Sequence, residues 1–156
     1  LLLSLGIIEL SLMFASESML EGATTRAARI VKTGQLQQSG GANLENDFRA
    51  KICDHAPVLI RCEDIVIEAR VMQSFADYPS MQPQFNEDGE MESEGFSLGG
   101  SSENIMIRVA YNYTAFTPLV GQMLWGPDSS RMFMSTIVLK SEPYDFSEEM
   151  ALDGGA

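Results

Sequence analysis

The sequence predicts an α+β fold: a long N-terminal hydrophobic helix packed on a small, roughly three-stranded antiparallel sheet, with a second short helix. Residues 1–33 contain no proline and open with the apolar run LLLSLGIIELSLMFA. As one helix they would be roughly 50 Å long. Further along the chain, apolar and polar residues alternate in three stretches, which is the pattern of strands with one buried face.

The first half of this helix is apolar on all sides, whereas the second half is amphipathic. The side chains expected to mediate its assembly with other proteins are Ile7, Glu9, Leu10 and Phe14. A stripe of small residues follows at Ala23, Ala27, Ala28 and Val31, and we expect it to pack on the chain's own sheet. A membrane-spanning helix needs about 20 apolar residues, of which roughly 14 are visible. An anchor or packing helix is favoured over a removed signal peptide, because the helical register continues past Ala15 without a break.

Glu9 is the one ionisable side chain in the apolar half of the helix. An isolated carboxylate in an apolar helix costs about 2.5–3.5 kcal/mol on insertion scales. Either Glu9 has a partner or it lies near the aqueous boundary, and the sequence leaves both possibilities open. The chain begins at Leu1 without an initiator methionine or a basic flank, so we expect that this end has been trimmed.

Glycines, helix-capping residues and the spacing of apolar side chains predict the remaining helices and strands. Gly34 predicts the stop of the first helix, and Asn43 predicts the cap of a second helix over residues 44–54. A first strand starts at Ile65 and extends towards Phe75, with polar side chains on its solvent face. These polar residues are Glu68, Arg70 and Ser74. Residues 105–113 and 131–141 predict two further strands, and PLVGQMLW between them predicts a short helix or a wide connection.

We predict three parts of the chain: the helix 1–34, an α+β domain 35–145 and an acidic flexible tail 146–156. The net charge is −12, and the excess acids lie between Ala76 and Asn104 and after Lys140. Residues 76–102 predict a long acidic loop, partly disordered, which we expect to be dispensable for folding. The domain from Gln35 onward is expected to fold alone. Nucleic-acid binding is disfavoured, because it requires a basic surface.

Cys53 and Cys62 are separated by eight residues that include Pro57. Because the apolar helix indicates export, a disulfide is favoured over two free thiols. A zinc site is disfavoured, since His55 is the only other strong ligand nearby. We therefore predict no metal and no cofactor.

No catalytic motif is apparent. His55 is the only histidine, and a solvated loop position suits it better than the role of a base. The acidic run at residues 86–94 lacks the spacing of a calcium-binding loop. The sequon beginning at Asn112 falls in a predicted strand, where it is expected to pair. We predict that the protein is not an enzyme.

The segment GIIELSLMFASESMLEGATTRAARIVKTGQ resembles the N-terminal helix of TadE-like proteins of the tight-adherence (Flp, type IVc) pilus system. That helix has an apolar stretch, a GIIE-like turn, a phenylalanine near LMF, and an AAR segment that ends at a glycine. The cysteine pair, the strand with Tyr111 and the closing TIVLKSEPY are similar in kind and order. The resemblance covers most of residues 1–144, but not the acidic insert 76–102.

This resemblance implies a minor pilin or pilus-assembly subunit that acts through its helix. Its partners would be other pilus subunits (a major pilin and a second minor pilin), inner-membrane assembly proteins and membrane lipid. It would be located in the bacterial inner membrane with a periplasmic domain, or in an extracellular pilus. The family's cleavage region would precede Leu1, so Glu9 is not equated with the processing glutamate. A membrane-tethered periplasmic binding module is the alternative, and an extracytoplasmic enzyme around His55 comes last.

Overall fold

The computed structural model describes residues 1–39, 41–56 and 58–143. The helices of this part are α1 (Leu2–Lys32), α2 (Gln35–Gln38), α3 (Leu44–His55) and α4 (Pro118–Trp125), and its strands are β1 (Ile65–Met72), β2 (Gln84–Phe85), β3 (Met91–Glu92), β4 (Asn104–Thr114) and β5 (Ser130–Lys140). Helices α1, α3 and α4 and the sheet β1-β4-β5 confirm the predicted α+β class. The tail 146–156 lies outside the described residues.

Helix α1 is a single helix that ends where the sequence predicts. Gly34 adopts the left-handed conformation with φ of 73°, and its N–H donates to the Val31 carbonyl. Such a conformation favours glycine, because a Cβ would be strained there. The polar linker predicted after Gly34 instead contains α2. Leu36 is buried, so one apolar side chain holds this turn against the core.

Helix α3 begins at the predicted cap. The Asn43 side chain accepts a hydrogen bond of 3.1 Å from the Asn46 N–H, which satisfies one of the unpaired donors of the first turn. Phe48 and Ile52 are fully buried on the side facing the core. The four-residue spacing of apolar side chains therefore predicted the buried face correctly.

The three long strands form an antiparallel sheet in the order β1-β4-β5. The odd-numbered side chains of β1 and β4 face α1 and α3 and form one buried cluster: Ile65, Ile67, Ala69, Ile105, Ile107, Val109, Tyr111 and Tyr113. The small-residue stripe of α1 belongs to the same cluster, as predicted. Helix α1 thus supplies part of the domain's own core. The expectation that residues 35 onward fold alone is not supported, because removing α1 would uncover this cluster.

Residues 75–95, which the sequence assigned to a partly disordered acidic loop, cover part of the opposite face of the sheet, over β1 and β4. This segment contains a 3₁₀ turn at Phe75–Ser80 and the small hairpin β2-β3. Met91 is buried against this face. Phe75, predicted at the end of β1, is exposed and opens the turn instead. This segment is therefore more ordered than the partly disordered loop that the sequence predicted.

Residues 96–98 then run along the free edge of β1. The Ala69 N–H donates to the Gly95 carbonyl at 3.1 Å, and the Ser97 N–H donates to the Ala69 carbonyl at 2.8 Å. Leu98 is buried, and the Phe96 ring lies 5.9 Å from that of Phe48. These contacts close one edge of the sheet, an edge that would otherwise expose unpaired backbone groups.

Glu68 is the polar residue of β1 that the sequence placed incorrectly. Rather than facing solvent, it is fully buried opposite Arg108 of β4, with 3.0 Å between carboxylate and guanidinium. Arg108 also donates to the Met81 carbonyl at 2.7 Å, and Arg70 bridges Glu68 and Glu94. Both charges are covered because residues 75–95 lie over them. The alternation of apolar and polar residues predicts that a strand has two faces, but it does not show which segment covers the polar face.

Candidate functional site

One face of the N-terminal half of α1 is uncovered and apolar. Ile7 is 58% exposed, Leu10 is 36% exposed and Phe14 is 61% exposed. The other large exposed side chains of this half are Leu1, Leu2, Leu3 and Ile8. By length and composition, α1 is able to cross a membrane, and it is the one described helix that meets this test. Three of the four predicted assembly residues therefore lie together on an open surface.

The opposite face of the same half rests on the protein. Leu5 and Gly6 are half-buried, and Met13, Ser16 and Leu20 are buried. The spacing of these positions follows one side of a helix. Helix α1 is thus attached to the domain from its second turn onward and presents its other side outward.

Glu9 faces inward and does not join the other three assembly residues. It is 1% exposed, and its carboxylate accepts three hydrogen bonds from the domain. The Tyr113 hydroxyl donates to Oε1 at 2.7 Å, the Phe116 N–H donates to Oε1 at 3.0 Å, and the Thr117 N–H donates to Oε2 at 2.9 Å. The sequence left open whether Glu9 has a partner or lies near the aqueous boundary, and the structure shows that it has hydrogen-bonding partners.

The donors to Glu9 are groups that the local fold leaves without backbone partners. Thr117 is the N-cap of α4 and Phe116 precedes it, so neither N–H belongs to the ladder of that helix. Pro118 at the first helical position has no N–H to offer. The carboxylate also lies at the helix N-terminus, where negative charge is favourable. Sequence reasoning missed these donors, although a lone carboxylate in an apolar run indicated that some must exist.

Tyr113 lies at the end of β4 in an aromatic cluster beneath α1. Its ring contacts those of Phe116, Trp125 and Phe133 at centroid distances of 6.3, 6.0 and 5.7 Å. Burial and the hydrogen bond to the Glu9 carboxylate raise the pKa of the Tyr113 hydroxyl above its usual value. The hydroxyl therefore stays a donor to Glu9 at neutral pH.

Cys53 and Cys62 are joined by the predicted disulfide. The Cys53 and Cys62 sulfurs are 2.06 Å apart, and their Cα atoms are 5.8 Å apart. The bond joins α3 to the turn that precedes β1. On the neighbouring turn, Arg49 donates to the Cys62 carbonyl at 3.2 Å and to the Ile65 carbonyl. Covalent and polar links therefore hold α3 against the entry of the sheet.

Reducing this disulfide is expected to lower stability by about 2–3 kcal/mol, because a ten-residue loop would regain its freedom in the unfolded chain. The native protein should have a mass two hydrogens below that of the reduced protein. Its melting temperature should fall by roughly 4–12 °C when both cysteines are replaced by serine. Two free thiols in the natively purified protein would contradict the assignment.

His55 ends α3 and is exposed. One ring nitrogen lies 2.8 Å from the Lys51 carbonyl, a contact within the same helix. Within residues 1–39, 41–56 and 58–143, no three metal-binding side chains cluster. The absence of catalysis stays a prediction.

Comparison with known proteins adds no relative. No protein-family model, curated protein or solved structure matches this chain. Its function is therefore argued from its own residues.

Proposed function

We propose that this protein is a pilin-type assembly subunit of the bacterial envelope, which acts through the exposed face of α1 without catalysis. The observation that carries the proposal is this face, where large apolar side chains line a helix that the protein's own domain leaves open. An exposed apolar patch of this extent marks a site of contact with protein or membrane. The resemblance of the helix to that of TadE-like proteins supports a pilus role.

The buried side of α1 supports the same proposal. An assembling subunit has to present its helix in a fixed orientation, since a freely rotating helix would not offer one defined face. Glu9 and the small-residue stripe hold α1 on the domain from opposite halves of the helix. The disulfide suits an extracytoplasmic domain, because such bonds persist in oxidising compartments.

Replacing Ile7 with arginine is expected to abolish assembly while the protein still folds. Ile7 is exposed, so the charge adds no buried group to the monomer, but a dry helix bundle or bilayer would exclude it. Arg at Leu10 should act in the same way. The measurement is the number of surface fibres, and the amount of this protein in the membrane fraction, in the native host.

The matched controls are Glu17→Arg, an exposed polar position on the same helix, and His55→Ala. Both should keep fibres and membrane fractionation at the wild-type level. If His55→Ala lost function while folding normally and Ile7→Arg kept it, an enzymatic role would replace the proposal.

One observation favours the alternative, a membrane-tethered binding module. A cavity of about 410 Å³ lies over the sheet and is lined by Arg61, Asp64, Val66, Met91 and Tyr111, among others. Its size is within the range of small-molecule sites. A small molecule that raised the melting temperature, and lost this effect in Arg61→Ala, would support the alternative.

A further inference from the structure

Three described segments without any acidic or basic side chain meet at one end of the molecule: residues 1–8, 58–60 and 112–127. Glu9 joins the first to the third through its hydrogen bonds to Phe116 and Thr117. Val58 joins the second to the third, because it lines the same surface cavity as Phe116. Val58 is 80% exposed and Phe116 is 64% exposed. The apolar surface therefore extends beyond α1.

Helix α4 forms the centre of this end. Val120 and Gly121 face inward, whereas Leu119, Met123 and Leu124 face outward. The inward side is tightly packed: a Cβ at Gly121 would lie 2.5 Å from the Ala115 Cβ and 2.8 Å from the Ser129 Cβ. The close packing around Gly121 determines which side of α4 faces outward, and that side is apolar.

We infer that this end is a lipid-docking surface, on which α4 lies in the membrane interface beside α1. One basic side chain, Arg61, lines the cavity that Val58 and Phe116 share. The inference rests on the proposed function, because it takes α1 as the helix that enters the membrane. Glu9 follows Ile8 in the chain and is hydrogen-bonded to Phe116 and Thr117, at the start of α4. When residues 1–8 enter a bilayer, α4 therefore lies at the level of the lipid headgroups. Helices of this kind bury their apolar side about 5–10 Å below the headgroups.

The chemistry of this end suits lipid. The one carboxylate there, Glu9, is buried and accepts three hydrogen bonds, so it presents no unpaired charge to the bilayer. Trp125 is the last residue of α4, and Phe116 lies just before its first turn. Aromatic residues are enriched at the membrane interface. The six large apolar residues among residues 1–8 would anchor the chain weakly, and α4 adds apolar area at the same depth.

The test uses the quenching of Trp125, the only tryptophan of the chain, in phosphatidylcholine vesicles that carry bromine near the top of their acyl chains. We expect Trp125 of the full chain to lose emission in these vesicles but not in unbrominated ones. The double variant Met123→Trp/Trp125→Phe moves the probe to the exposed side and should be quenched more strongly. Leu119→Glu/Met123→Glu should weaken vesicle partition about tenfold or more, because two charges would enter the apolar interface.

The matched control is Phe75→Glu, an equally exposed apolar position at the other end of the sheet, which should leave partition unchanged. Vesicle binding that requires Ile7 but ignores α4, with Trp125 unquenched, overturns the inference and leaves the proposed role of α1 standing. Self-association of the chain that Leu119→Glu/Met123→Glu abolishes, without quenching by lipid, also overturns it and assigns the surface to a second copy. A chain that neither binds vesicles nor associates overturns both proposals.

Discussion

Replacing residues 76–102 with a short glycine–serine linker is expected to abolish cooperative folding. Met72 and Asn104 are direct partners in the β1-β4 ladder, so a short hairpin could join the two strands without strain. Failure of the variant would therefore come from lost contacts rather than from the linker. This expectation reverses the one drawn from the sequence alone.

The magnitude follows from what the segment covers. Met91 and Leu98 are buried, and removal of a buried side chain of this size typically costs about 2–5 kcal/mol. The deletion would also uncover the Glu68–Arg108 pair and the edge of β1 at Ala69. These losses are comparable with the whole stability of a typical domain, about 5–15 kcal/mol.

Thermal unfolding followed by circular dichroism measures this effect. The control is the triple variant Glu87→Gln/Asp88→Asn/Glu90→Gln, which removes three exposed charges and leaves the buried contacts in place. We expect its melting temperature to stay within a few degrees of the wild type. A deletion variant that melted cooperatively near the wild-type temperature would show that the segment contributes little to the core.

Replacing Glu9 with alanine is expected to destabilise the protein by about 3–5 kcal/mol, because it leaves several buried donors without an acceptor. The affected groups are the Tyr113 hydroxyl and the N–H groups of Phe116 and Thr117. The corresponding fall in melting temperature is roughly 6–20 °C for a chain of this length. The N-terminal half of α1 should separate from the domain first, since Glu9 is its polar link to β4 and α4.

Glu9→Gln separates acceptor loss from charge loss. Its single amide oxygen can still accept from Tyr113 and Phe116, but its NH2 group faces the Thr117 N–H, so an intermediate melting temperature is expected. Glu17→Ala, an exposed glutamate on the same helix, should change stability by less than about 0.5 kcal/mol. Hydrogen exchange of the α1 amides checks where the opening starts. Equal exchange in Glu9→Ala and the wild type would contradict the role of Glu9 as an anchor.

The class of fold could be predicted because its signals are local. An uninterrupted apolar run gives α1, Gly34 stops it, and strict alternation gives the inner faces of β1 and β4. The cysteine pairing was predicted from two cysteines that follow an apolar N-terminal helix, a pattern that indicates export. The buried stripe of α1 was also readable, since small residues at helical spacing allow close packing.

The partners of Glu9 and the cover of the outer sheet face could not be predicted in the same way. Tyr113 and Thr117 are more than 100 residues from Glu9 in the chain. From their composition, residues 76–102 were predicted to form an acidic loop. Their few apolar residues, Met91 and Leu98 among them, are scattered among many acidic ones. Only the tertiary structure shows that Met91 and Leu98 are buried, whereas Tyr78 and Phe85 are exposed.

The sequence by itself therefore determined the elements: a long apolar helix, a small antiparallel sheet, a cysteine pair and an excess of acidic residues. Periodicity and charge act over a few residues, so they are readable without coordinates. Only the tertiary structure decided which side of α1 is open, that Glu9 holds it to α4, and that Glu68 and Arg108 are buried as a pair. Such choices depend on the free energy of contacts between distant segments, which no local pattern records.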